Sequence, residues 1–143
     1  MTKQEVYREI EQTLGVVPTM FKKVPESMLE NEWKLFRQIE LEDGPIPQKY
    51  RELIGIAISG VAKCHYCATY HTEVARLFGA SDEEIEAANH FAKFTAGWSA
   101  YVNGLQLDYE QFSNEVKQIS AHVRSVQGGV GAKAGEGTRK GLH

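Results

Sequence analysis

The chain has 143 residues, of which 42% are hydrophobic and 24% are charged, and its formal net charge at pH 7 is −3. A chain of this length suits one domain that buries about two-thirds of its unfolded surface, so the fold does not need disulfide bonds. The slightly negative charge excludes the overall basic excess that is typical of nucleic-acid-binding proteins.

Apolar residues recur at helical spacing along most of the chain. The first predicted helix covers residues 3–14, and a connector with two prolines follows at residues 16–25. Further helices are predicted at residues 25–41, 47–62 and 64–79, from Ser81 onward, over a short segment at 97–104, and at 108–126. No segment shows strand alternation or an internal repeat. The sequence therefore predicts an all-α, single-domain helical bundle of about six or seven helices.

The two ends of the chain differ in character. Residues 1–126 carry the predicted helices, whereas residues 127–143 are rich in glycine and offer almost nothing to bury. We therefore predict a helical domain at 1–126 and a flexible tail at 127–143, with a basic partner-binding arm as the alternative role of the tail.

The lengths of the apolar segments indicate whether the chain crosses a membrane or is secreted. The most apolar run, residues 53–62, is about half as long as the roughly 20 residues that a membrane span needs. The N-terminus has no apolar signal core, so we expect a cytoplasmic protein that does not bind membranes. Thiols stay reduced in the cytoplasm, so a CxxC pair there is more often redox-active or metal-binding than structural.

Both cysteines of the chain lie in one short stretch, KCHYCATYH, at residues 63–71. On a helix, Cys64, Cys67 and His71 share one face, because their spacings are three and four residues. At the start of the helix, Cys64 would meet free backbone N–H groups that favour its thiolate, while Cys67 has the shorter spacing to the possible base His71. Either cysteine could therefore attack a substrate. The spacing favours reversible dithiol chemistry.

The residues alone leave the roles of Glu52, Tyr66 and His65 open. Glu52 is either a partly desolvated proton carrier beside the apolar run or a solvated residue of an early helical turn. Tyr66 could shape a pocket, donate a hydrogen bond or simply pack. His65 should point away from the face that carries Cys64 and His71, which favours a surface role.

Other kinds of function remain open from the residues alone. A zinc site would find three ligands in Cys64, Cys67 and His71, and it would need a fourth from elsewhere in the fold, such as His90 or Glu52. A non-catalytic helical interaction module with a structural CxxC is a further alternative. No nucleotide, flavin or haem motif occurs, so we expect neither a cofactor nor a resident metal.

The segment RELIGIAISGVAKCHYCATYH, at residues 51–71, resembles the signature of the alkylhydroperoxidase D-like group within the carboxymuconolactone decarboxylase family. That signature is Glu, eleven residues, Cys, two residues, Cys, three residues, His. The intervals between Glu52, Cys64, Cys67 and His71 match it throughout. The flanking stretches GVVPTMFKKVPE and LFGASDEEIEA are also similar to this family. The resemblance covers roughly residues 7–116.

This resemblance implies a helical subunit that assembles into a homo-oligomer, a trimer or a hexamer, and works as a thiol-dependent peroxidase or disulfide oxidoreductase. Its substrate would be a hydroperoxide, and an external dithiol, thioredoxin-like or lipoylated, would recycle the Cys64–Cys67 pair. The resemblance also implies a Glu52–His71 proton relay. True carboxymuconolactone decarboxylases lack the CxxC, so its presence disfavours the alternative of a decarboxylase-like lyase.

Overall fold

The computed structural model of the chain describes the backbone of residues 1–136 and the side chains of residues 1–127. No strand occurs in this part of the chain, which confirms the predicted all-α fold. No helix of the described chain is long and apolar enough to cross a membrane. The seven helices are α1 (Lys3–Leu14), α2 (Thr19–Lys23), α3 (Glu26–Phe36), α4 (Gln48–Ala62), α5 (His65–Leu77), α6 (Asp82–Leu105) and α7 (Tyr109–Glu136).

Several helix bounds differ from the predicted ones. The connector at residues 16–25 contains α2, and a π-helical turn, Arg37–Leu41, continues α3 to the predicted end. The short helix at 97–104 is not separate, since α6 runs through that segment. We expected the last helix to end at residue 126, but α7 continues to Glu136 because its glycines do not interrupt the backbone hydrogen bonds.

The chain divides into two compact units, Met1–Ala96 and Gly97–His143. This division lies inside α6, whereas we placed the domain boundary at residue 126. Residues 127–136 of the predicted tail belong to α7, and residues 137–143 lie outside the described chain. The flexible tail stays a prediction.

Two apolar clusters form the core of the first unit. One joins α1, α2 and α3, and the other joins α4 and α5 to the start of α6. The first cluster consists of Val6, Ile10, Phe21, Leu29 and Trp33. The second consists of Ile56, Ala75, Ala80 and Ile85.

A tight connection turns α4 into α5. Lys63 closes α4 in the left-handed conformation, with φ 57° and ψ 37°. The next residue, Cys64, donates its backbone N–H to the carbonyl of Ser59 at 3.0 Å. The chain reverses within these two residues, so α4 and α5 pack as a helical hairpin. This hairpin holds the signature residues.

The start of α6 is fixed to the same hairpin. Ser81 and Glu84 form the predicted capping box, in which each side chain accepts the other residue's backbone N–H. Glu84 also pairs with Lys49 of α4 at 2.7 Å. The ion pair therefore connects the start of α6 to the start of α4.

Candidate active site

The two cysteines lie at the N-terminus of α5. Both are free thiols, and their sulfur atoms are 2.8 Å apart in a hydrogen bond. Cys64 is the N-cap residue of α5, and its sulfur accepts the backbone N–H of Cys67 at 3.3 Å. The sulfur of Cys64 thus takes the place of the side-chain oxygen that usually caps a helix.

The pKa values of the two thiols are shifted in opposite directions. The S–H of Cys67, together with the backbone N–H groups of Cys67 and Tyr66, lowers the pKa of Cys64. The hydrogen bond to Cys64, followed by burial and by the charge on Cys64, raises the pKa of Cys67. A single negative charge on the pair therefore resides on Cys64. Of the two candidates for the attacking cysteine, this favours Cys64 at the helix start over Cys67, which has the shorter spacing to His71.

Glu52 of α4 and His71 of α5 meet across the hairpin. The Oε2 atom of Glu52 lies 2.8 Å from the Nδ1 atom of His71. The Glu52 side chain is only 1% exposed, and that of His71 is 20% exposed. The alternative of a solvated Glu52 is therefore wrong. The second oxygen, Oε1, accepts the side-chain amide of Gln48 at 2.8 Å, so both carboxylate oxygens are satisfied.

The imidazole ring of His71 lies directly against the backbone of α4. A β-carbon built at Gly55 would come within 2.5 Å of the Cγ and Nδ1 atoms of His71. Real β-carbon contacts do not reach such distances, so the ring fits only because residue 55 has no side chain. Gly55 lies one helical turn after Glu52, which places the ring beside the carboxylate.

A second carboxylate joins this pair. Glu40 lies on the π-helical turn, and Glu40, Glu52 and His71 each offer one atom within 4.8 Å of the others. Burial first, and then the charge of Glu52, raises the pKa of Glu40. One metal ion could reach all three atoms. Because Glu52 and His71 already bond each other, we interpret the three residues as a cluster of titratable side chains built around that hydrogen bond.

This cluster and the cysteines open onto one pocket of about 370 Å³. Cys64, Cys67, His71 and Glu40 contribute its polar atoms, together with Ser59 and Arg51. The rest of the lining is apolar and consists of Ile39, Ile46, Ile54, Gly55, Ile58 and Ala62. Such a pocket can hold a small apolar molecule with its reactive group at the sulfur atoms.

Tyr66 is not part of the lining. Its side chain is 76% exposed, and its ring lies against that of His65 with 4.1 Å between the centroids. The tyrosine is two positions from Cys64, which places it on another side of α5. The structure thus gives Tyr66 no place in the pocket, and His65 lies on the surface as expected.

Tyr70 is the aromatic residue that does approach the cluster. Its ring packs edge-on against His71, with 5.2 Å between centroids, and also contacts Phe36 at 6.2 Å. Burial, followed by the charges of Glu40 and Glu52, raises the pKa of Tyr70. The phenol therefore keeps its proton beside the two carboxylates.

Three residues of the site were not predicted from the sequence: Gln48, Gly55 and Glu40. Two of these had a signal: Gln48 lies four residues before Glu52 on the same helical face, and Gly55 interrupts an otherwise apolar run. Glu40 had none, because nothing in the residues of its segment predicts a π-helical turn.

Comparison with known proteins gives a family and a fold. The model of the carboxymuconolactone decarboxylase family matches residues 28–108, which contain both cysteines, Glu52 and His71. No curated protein sequence matches the chain. The crystal structure of the alkylhydroperoxidase AhpD core from Rhodospirillum rubrum superimposes with a TM-score of 0.67 at 24% identity. The match covers 76% of this chain and 84% of that one, and at this identity it speaks for the fold alone.

Proposed function

The chain belongs to the carboxymuconolactone decarboxylase family, and we propose that it is an alkylhydroperoxidase-like thiol oxidoreductase that reduces hydroperoxides in the cytoplasm. One observation carries the proposal. The sulfur of Cys64, whose pKa is lowered, lies 2.8 Å from the sulfur of Cys67. Both line the same pocket as His71, which is hydrogen-bonded to the buried carboxylate of Glu52. This arrangement supplies a nucleophile, a second thiol and a base.

The reaction starts at the thiolate of Cys64. The thiolate attacks the terminal oxygen of the hydroperoxide, the O–O bond breaks, and Cys64 becomes a sulfenic acid. The departing alkoxide takes a proton from His71 and leaves as an alcohol. Cys64 is oxidised by two electrons, and the hydroperoxide is reduced by the same two.

The second thiol closes the cycle. The sulfur of Cys67 attacks that of Cys64, the S–OH bond breaks, and the thiol proton of Cys67 leaves with the hydroxyl as water. An external dithiol, thioredoxin-like or lipoylated, then reduces the disulfide by exchange and becomes a disulfide itself. Cys67 is exposed, which gives such a reductant access to the pair.

The Glu52–His71 pair serves the proton steps. The carboxylate of Glu52 holds the imidazole of His71 by its Nδ1 atom and balances the positive charge that forms when the ring takes up a proton. His71 therefore receives the proton of Cys64 when the thiolate forms and returns it to the alkoxide. The proton therefore stays in the pocket only until the alcohol leaves with it.

The proposed oligomer, a trimer or a hexamer, would cover an apolar groove of about 400 Å³ between the end of α4 and the middle of α6. The lining has almost no polar atoms, and its large side chains are exposed. Ile58 is 62% exposed and Phe91 is 68% exposed. A second copy of the chain would bury this surface, which is costly to leave in water. The groove is lined by Ala57, Ile58, Val61, Ala62, Phe91, Ala92, Thr95 and Ala96.

A redox titration tests the proposal. The purified protein is equilibrated in poised thiol buffers, free thiols are trapped by alkylation, and mass spectrometry reports the state of Cys64 and Cys67. We expect one reversible two-electron transition between roughly −180 and −300 mV, followed by turnover of an organic hydroperoxide when a dithiol is supplied.

Three results would contradict all or part of the proposal. Thiols that never form a disulfide would favour a structural CxxC in a non-catalytic module. Thiols that react only after a chelator has been added would favour the zinc-binding alternative. A reversible disulfide without peroxide turnover would support a disulfide oxidoreductase and contradict the peroxidase activity.

A further inference from the structure

The π-helical turn Arg37–Leu41 has a fixed position in the first unit. Arg51 of α4 donates to the carbonyl of Ile39 and, at 2.7 Å, to that of Glu42. Gln48 donates one hydrogen bond to the carbonyl of Glu40 and another to the carboxylate of Glu52. The turn that carries Glu40 is thus tied to the helix that carries Glu52. π-Helical turns are frequent at functional sites.

The side chain of Glu40 belongs to the pocket that holds the sulfur atoms. It lines this pocket together with Cys64, Cys67 and His71. An oxygen of Glu40 lies within 4.8 Å of the Glu52 oxygen and of the His71 nitrogen. Glu40 is half-buried, whereas Glu52 is fully buried, so of the two carboxylates Glu40 is the one that contacts solvent.

The charges around Glu40 favour proton exchange. Glu52 and Arg51 face it from α4, and His71 and Tyr70 face it from α5. Arg51 bonds neutral oxygens only, while Tyr70 stays neutral. Arg37, on the same turn, pairs with Glu9 at 2.6 Å. Two carboxylates therefore lie beside one imidazole.

We propose that Glu40 is a further positioning residue of this site, which acts through Glu52 and His71 by holding their shared proton within the pocket. When Cys64 loses its proton to His71, the cluster holds that proton among three groups. When the alkoxide forms, the cluster returns it through His71. Glu40 therefore keeps the imidazole supplied without a proton from bulk water.

This role deepens the proposed function, because it assumes that the proton serves thiol chemistry, but its test does not need peroxidase activity. The imidazole nitrogen signals of His71 are followed by NMR against pH in three proteins: wild type, Glu40→Gln and Glu42→Gln. The spectrum of His71→Gln assigns the signals. Glu42 is a matched control, since it is an exposed carboxylate two residues away that does not line the pocket.

We expect the midpoint of His71 to move to lower pH by about one unit in Glu40→Gln, because a carboxylate within about 5 Å stabilises the imidazolium. Glu42→Gln should titrate as wild type. The rate of Cys64 alkylation is measured against pH in the same proteins. The acidic side of this profile should move by the same amount and in the same direction.

Three outcomes would overturn the proposal. Equal His71 titrations in wild type and Glu40→Gln would show that Glu40 does not act on His71. Equal shifts in both variants would show a general charge effect. A wild-type His71 that titrates only after a chelator has been added would identify a metal site. If Glu40→Gln does not fold, Glu40→Asp keeps the charge on a shorter side chain, and its His71 midpoint should stay close to that of wild type.

Discussion

The imidazole of His71 occupies the space that a side chain at residue 55 would need. A β-carbon at Gly55 would lie 2.5 Å from the Cγ and Nδ1 atoms of the ring, and Nδ1 is the atom that bonds Glu52. The orientation of the proposed base thus depends on a glycine in the middle of a helix.

Replacement of Gly55 by alanine should separate His71 from Glu52. Alanine gains roughly 1 kcal/mol of helix propensity, but overpacking costs about 1–3 kcal/mol, so the variant should be less stable on balance. Loss of the base should slow reaction with hydroperoxide by about 10²-fold. Stopped-flow kinetics and thermal unfolding measure both effects.

Gly60→Ala provides the matched control for this substitution. Gly60 lies on the same helix, where a β-carbon would meet only the Oδ1 atom of Asn89 at 3.9 Å. This variant should be more stable by up to about 1 kcal/mol and fully active. Equal activity of the two alanine variants would show that the clash at Gly55 is relieved without moving the ring.

Removal of either member of the relay should slow the chemistry without unfolding the protein. We expect Glu52→Gln and His71→Gln to react with hydroperoxide about 10²–10⁴-fold more slowly, since this is the usual worth of positioned proton transfer. Single-turnover measurements of sulfenic acid or disulfide formation report the step. His90→Gln, on the exposed face of α6, is the control. A loss below about threefold would contradict the relay.

Both cysteines should be required for turnover, and neither for the fold. Cys64→Ser and Cys67→Ser should abolish turnover with hydroperoxide and keep the wild-type circular dichroism spectrum, because neither side chain belongs to the two apolar clusters. A cysteine variant that still turns over with a dithiol would remove the disulfide from the mechanism.

The acidity of Cys64 should depend on the hydrogen-bond donor at residue 67. Since the S–H of Cys67 lowers the pKa of Cys64, Cys67→Ala should raise that pKa and move the alkylation profile of Cys64 to higher pH. Cys67→Ser retains a donor and should shift the profile less. The profile should stay below that of an unperturbed thiol, because the backbone N–H groups of α5 remain. Identical profiles for the two variants would show that Cys67 does not donate to Cys64.

Phe91 should matter for assembly rather than for folding. A charge at this exposed position would lie in the apolar groove, so Phe91→Lys should give a smaller species in sedimentation velocity. Leu77→Lys alters an equally exposed apolar residue of α5 outside the groove and should leave the size unchanged. Two variants of wild-type size would place the interface elsewhere.

Periodicity predicted most helices because apolar spacing is a local property. Residues 3–14 form α1 as expected, and α4 begins one residue from its predicted start. The predictions were less accurate where no local signal exists. Thr19–Lys23 is too short for a periodic pattern. Phe112, Val116, Ile119 and Val123 form an apolar face at helical spacing on α7, yet all four are exposed, because periodicity identifies an apolar face and not what covers it.

The sequence by itself determined the helical fold, the family and the Cys64–Cys67 pair. The sulfur atoms are three residues apart at a helix start, so helix geometry alone brings them together. Only the tertiary structure decided which carboxylates reach His71 and that Gly55 makes room for its ring. Glu52, Glu40 and His71 lie on three different elements, and their distances depend on how those elements pack. Local spacing cannot specify such contacts, because packing is set by side chains distant in the chain.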